Sequence, residues 1–140
     1  MYKRGGTMFV SSRALIVLFT LIIGVGATPV DEVLVTATVY NADPRQCNAD
    51  YLTTASGKKI NESNPQGHRW IAVSRDLEPL GFTFGTKVLI SNAGEMNGVW
   101  TVEDRMNKRW VHRVDFLVNN DIRLGKWNNV KLEIWRPKKN

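Results

Sequence analysis

Six short runs of β-branched and aromatic residues, each closed by turn-forming residues, restrict the fold of this chain more than any other feature. They are "EVLVTATVYNA" (32–42), "RWIAV" (69–73), "TKVLIS" (86–91), "VWTVED" (99–104), "HRVDFLV" (112–118) and "NNVKLEIW" (128–135). Each has strand composition. The last alternates Val130, Leu132 and Ile134 with Lys131 and Glu133, as a half-buried strand does. Strands this short in a chain this small favour a closed barrel, which leaves no unpaired edge. Between them, "SRDLEPLG" (74–81) places a Ser before acids and ends on Gly, a short helical turn. "NNDIRLGKW" (119–127) starts on Asn caps and stops at Gly125, which predicts a second short helix. "NAGEMNG" (92–98) is a turn. Residues 43–68 are rich in Gly, Pro, Asn, Ser and Thr and form a long loop, a kind of segment that is more often functional than idle. There is no internal repeat and no Gly-rich phosphate loop.

The N-terminus is read apart from the fold. "MYKRGGTMFVSSR" is basic, and "ALIVLFTLIIGVGA" (14–27) is shorter than the roughly 20 apolar residues a spanning helix needs. With small residues at its end, this reads as a secretory signal over residues 1–27, cleaved so that Thr28 becomes the first residue. An uncleaved anchor is the alternative, and either form confines membrane contact to this segment. The single domain is then 28–140, exported to the periplasm, cell wall or outside. The leader carries three bases and no acid, so the formal charge of +6 falls to +3. That balance and export argue against a nucleic-acid partner. Cys47 is the only cysteine, which excludes a disulfide framework within the chain and a cysteine-based metal site.

The stretch 99–118, "VWTVEDRMNKRWVHRVDFLV", holds the chemistry. Asp115 sits between Val114 and Phe116, where an apolar residue would cost less. Burial raises a carboxyl's pKa, and a second carboxylate nearby, here Asp104, raises it further. A salt bridge to Arg113 or Arg109 would lower it instead. Asp104 closes a strand, where it either tunes Asp115 or caps the polar loop 105–110. Trp100 and Trp135, at strand spacing, read as core. Trp110 lies in the polar loop beside the candidate acid. His68 and His112 do not make a metal site with it, because on a strand His112 and Asp115 point to opposite faces. No metal and no cofactor are expected.

Several pieces stand in a familiar order: "ATVY" (37–40), Cys47, "TTASG" (53–57), "IAVSRDLEPLG" (71–81), "GTKVLI" (85–90), "VEDRMN" (102–107) and "RVDFLV" (113–118), closed by "LGKWNNVKLEIW". Together they resemble the triple-aspartate (Asp-Asp-Asp) domain family, related to the membrane-bound lytic transglycosylase A and rare-lipoprotein-A-like barrels. The resemblance spans residues 35–135. It implies a small, mainly β, six-stranded double-psi β-barrel with one or two short helices. It also implies a peptidoglycan lytic transglycosylase, which cleaves the β-1,4 bond from N-acetylmuramic acid to N-acetylglucosamine and leaves a 1,6-anhydro end. Its three aspartates map onto Asp76, Asp104 and Asp115, with Asp115 as the catalytic acid. Thr54 and Ser56 in "TTASG" are candidates for substrate contact, or an ordinary Ser-Gly turn. Trp110 is a candidate sugar platform, and Asp76 either a substrate contact or a helix-start residue. The chain departs from the family in two places: Ser74 follows "AV" where the family has its first aspartate, and Arg105-Met106-Asn107 replaces Thr-Gly-Gly. The expected partner is the glycan strand of peptidoglycan. The rival expectation is a non-catalytic module of the same fold that binds wall glycan.

Overall fold

All six runs are strands in the computed structural model, which describes residues 31–45 and 50–140. The segment expected to be a signal, its expected cleavage site and Cys47 lie outside the described residues. The strands are β1 (Glu32–Asn41), β2 (Trp70–Val73), β3 (Lys87–Ser91), β4 (Gly98–Arg105), β5 (Arg113–Val118) and β6 (Lys126–Ile134). They close into a barrel in the order β1-β5-β2-β4-β3-β6. β1 runs parallel to β5 and β2 parallel to β4, while the other four neighbours are antiparallel. Parallel neighbours cannot be joined by a hairpin and need long connections. The two parallel pairs interleave the halves of the chain, in keeping with the double-psi connectivity that the resemblance implies.

Alternation along each strand fills the interior. Val35 and Ala37, Ile71 and Val73, Val88 and Ile90, Trp100 and Val102, Val114, Phe116 and Val118, and Val130 and Leu132 all enter one core. Its largest members are aromatic. The Trp100 and Phe116 rings lie 4.7 Å apart, and Trp127 meets Phe116 edge-on at 5.8 Å. Trp135 is not core: it follows the end of β6 and is 37% exposed.

Helical content among the described residues is confined to three 3₁₀ turns, Pro65–His68, Arg75–Leu80 and Gly94–Met96. The second is the expected turn in "SRDLEPLG", and it ends on Gly81 at φ 110°, a left-handed conformation open to glycine. The helix expected over "NNDIRLGKW" does not form. Its carbonyls are taken from outside: the Asn41 amide donates to the carbonyls of Asn119 (3.0 Å) and Ile122 (2.9 Å). Asn119 in turn spends its side-chain oxygen on the Gln66 N–H, 2.9 Å away, instead of capping a helix. Asp43 grips the same connection through Arg123 while also holding Arg45; hydrogen bonds from Arg45, then Arg123, keep its carboxyl well below the ordinary range. Asn41 is 1% exposed, so Asn41→Leu leaves the Ile122 carbonyl without this donor, while the Asn119 carbonyl keeps the Ile122 N–H. The expected cost is about 1–3 kcal/mol, read as a lowered denaturation midpoint with an unchanged slope.

Candidate active cleft

One irregularity in the barrel positions the carboxylates. Ile71 pairs with Val102, but the next residue, Ala72, pairs with Asp104. Glu103 is therefore an extra residue on β4, a β-bulge of the kind that re-aims a side chain. Ala72 also pairs with Asp115 on β5, and Asp115 pairs with Thr38 on β1. Thr38, Asp115, Ala72 and Asp104 thus form one row across four neighbouring strands. The two aspartates stand two strands apart, about 9.6 Å at ordinary strand spacing. Ala72, the smallest side chain of the row, separates them.

This row lies on the outer face of the barrel, since its neighbours Val114, Phe116, Ile71 and Val73 point into the core. Asp115 is therefore not shielded by the apolar residues beside it in sequence. The long loop covers it: Tyr51, Thr53 and Ile60 share with Asp115, Asp104 and Ala72 the lining of a cleft of about 530 Å³. Ile60 and Leu117 belong to a small second apolar cluster beneath that loop. Burial pushes the Asp115 carboxyl above its ordinary value of 3.8. A hydrogen bond from the Thr38 hydroxyl and the charge of Arg113 pull against that rise, and Asp104 adds the smallest push upward. The expected tuning of Asp115 by Asp104 is a minor part; desolvation dominates. No ion pair to Arg113 or Arg109 forms at Asp115 among the described residues.

Asp104 holds the covering loop. It accepts from the Tyr40 hydroxyl (2.9 Å), the Ala55 N–H (3.0 Å) and the Arg105 N–H (2.9 Å). The bulged Glu103 holds the loop from below: its buried carboxylate meets Lys58 at 3.0 Å and its carbonyl accepts from the Ser56 N–H at 3.2 Å.

Of the residues singled out in the sequence, Asp115, Asp104 and Trp110 line the cleft. Thr54, Ser56 and Asp76 do not. Thr54 is 3% exposed, and its hydroxyl is shared with Ser56 (2.9 Å) and the Lys58 N–H (3.0 Å). These hydroxyls build the turn that delivers Ala55 to Asp104, and the neighbouring Thr53 faces the cleft instead. Asp76 accepts from the His112 N–H at 3.0 Å and sits 3.6 Å from the His112 ring, tying the 3₁₀ turn to the entry of β5. His68 accepts from the Asn61 N–H and stacks on Trp70 at 3.9 Å. Ser74, which stands at the first family aspartate's place, is fully buried and accepts from the Arg113 N–H. Tyr40, Tyr51 and Arg75 line the cleft without having been singled out for it, and Arg109, from the basic run Lys108, Arg109, Arg113 that could meet the peptide carboxylates of the wall, joins them. Tyr40 was legible as the close of "ATVY", two residues after Thr38. The others come from loops, whose spatial placement no periodicity reveals.

Trp110 is engaged rather than bare. The guanidinium carbon of Arg113 lies 4.2 Å from its ring centre and that of Arg109 4.9 Å.

Compared with models of known families, with curated proteins and with solved structures, the chain matches none.

Proposed function

We propose that this is an exported peptidoglycan lytic transglycosylase in which Asp115 serves as acid and then as base. The observation that carries the reading is a single desolvated carboxyl, raised in pKa, on the wall of an open cleft of about 530 Å³. An exposed aspartate with a pKa near 3.9 holds no proton at neutral pH and cannot act as an acid. Burial moves Asp115 in the direction an acid needs, toward holding its proton to higher pH. In the proposed reaction, the Asp115 carboxylic acid gives its proton to the glycosidic oxygen as the bond from that oxygen to C1 of the muramic residue breaks. The carboxylate left behind takes the proton of the same sugar's C6 hydroxyl. That oxygen then bonds to C1 and closes the anhydro ring, so no water is consumed and Asp115 ends protonated as it began. One carboxyl suffices, whereas glycoside hydrolysis ordinarily needs two. The fixed geometry of Asp104 supports this division of labour, because its hydrogen bonds commit it to the loop. Thr38 positions Asp115, and no metal or cofactor enters the proposed reaction.

Residues 28–140 incubated with purified sacculi are expected to release fragments ending in anhydro-muramic acid, each lighter by one water than the hydrolysed product in mass spectrometry. Retention on sacculi with no such fragments would select the rival, a glycan-binding module.

A further inference from the structure

The loop 105–110 and the start of the Arg75–Leu80 turn give the cleft a cationic rim. Most described arginines are committed elsewhere. Arg45 and Arg123 hold Asp43, Arg105 holds Glu78, and Arg136 holds Asp31. Arg69 donates to the carbonyls of Val99 and Asn97. Arg75, Arg109 and Arg113 remain. Among the described residues, Arg75 makes one long bond, 3.4 Å to the Met106 carbonyl. Among the described residues, the guanidinium groups of Arg109 and Arg113 have no acceptor, and they rest against Trp110. Arg75, Arg109 and Trp110 all line the cleft that holds Asp115. A guanidinium seated on an aromatic ring is held in place while its N–H edge stays open to an in-plane acceptor. The turn beneath is pinned too: Asn107 accepts the Arg109 N–H on its side chain and the Trp110 N–H on its carbonyl, both at 3.0 Å.

We propose that Arg75 and Arg109, with Arg109 and Arg113 seated on Trp110, form a carboxylate subsite that takes the acidic peptide borne by the glycan strand. Trp110 is then the seat of the arginines and not a platform for sugar. A planar carboxylate matches the guanidinium fork. The same cleft contains the acidic side chains Asp50 and Asp104, which disfavour a dianion such as phosphate more than a single carboxylate. The identity of the peptide rests on the peptidoglycan reading above; the charge of the ligand does not.

The test uses a short glutamate-containing peptide with a free C-terminal carboxylate, and the same peptide with every carboxylate amidated. The free form is expected to bind at least about tenfold more tightly, shifting the Trp110 indole N–H resonance. Arg75→Gln/Arg109→Gln is expected to lose that tenfold, with circular dichroism unchanged because both side chains are exposed. Equal binding of the amidated peptide, unchanged binding in the double variant, or displacement by inorganic phosphate at equal concentration each overturns the subsite. Wild-type protein should also cleave peptide-bearing strands about tenfold faster than strands stripped of peptide. Equal cleavage removes the subsite and leaves the transglycosylase standing. Peptide capture by a protein that releases no anhydro ends keeps the subsite and removes the transglycosylase.

Discussion

Replacing Asp115 with Asn is expected to reduce release of anhydro-ended fragments by about a thousandfold or more while the barrel stays folded. Positioned acid–base groups ordinarily contribute 10²–10⁴-fold, and here one group would do both proton transfers. Asn keeps the size and the oxygen that the Thr38 hydroxyl meets, but it can neither give nor take the proton. The same variant carries a stability signature with a fixed sign. Burial raises the folded-state pKa of Asp115, so the folded chain holds the proton in a pH range where the unfolded chain has lost it. The stability this gives is complete below the unfolded value and is lost as pH rises through the folded one. Asp115→Asn should therefore gain stability relative to wild type as pH rises from 3 toward 7, measured by denaturation at each pH. Wild-type activity should fall as pH rises through the folded-state value, as the acid loses its proton. A variant that keeps full activity would remove Asp115 from the chemistry; one that loses stability with rising pH would remove the desolvation argument.

Trp100→Ala is expected to cost about 3–5 kcal/mol, the usual penalty for emptying a large buried aromatic site. Trp100 is 1% exposed and packs on Phe116, the residue after Asp115. Its indole N–H also donates to the Met96 carbonyl at 2.7 Å, and the Arg69 guanidinium lies 4.2 Å from its ring. Truncation leaves a cavity, an orphaned carbonyl and an arginine without its seat. Domains of this size are stable by about 5–15 kcal/mol, so much of the margin goes with one side chain. Urea denaturation is expected to show a midpoint shifted sharply downward; a shift equivalent to less than about 1 kcal/mol would mean that the core repacks around the gap. Trp100→Phe, which keeps a ring for Phe116, should recover part of the loss.

Reading strands from composition worked here because turn-forming residues such as Asn92 and Gly125 stand next to strand ends, and because β-branched side chains recur at alternate positions. The helix that does not form is instructive. The 119–127 segment has the caps of a helix, yet Asn41, far away in sequence, takes the carbonyls such a helix would use. Local propensity does not register a donor arriving from another strand. At the candidate site, Asp115 stood out because a carboxylate in an apolar run is expensive. The reason offered by the sequence was still incomplete: its dry surroundings come from the covering loop and not from Val114 and Phe116. Asp104 reaches the same row only through the bulge at Glu103, and two adjacent acids do not announce a bulge. "TTASG" reaches the cleft through Thr53 and not through Thr54 or Ser56, since hydroxyls that build a tight turn and hydroxyls that face a cleft look alike in one dimension. Asp76 stands two positions beyond the place that the resemblance gives to a first aspartate, and in three dimensions it meets His112 and does not line the cleft.

The claim beneath all of this is that Asp115 carries its proton where an ordinary aspartate does not. A residue-resolved carboxyl NMR titration of the folded protein measures that without any substrate. The account predicts that the Asp115 carboxyl titrates above its ordinary value of 3.8, and that Ala72→Asp, which sets a third carboxylate between the two, moves it higher still. A midpoint at or below 3.8 would contradict it.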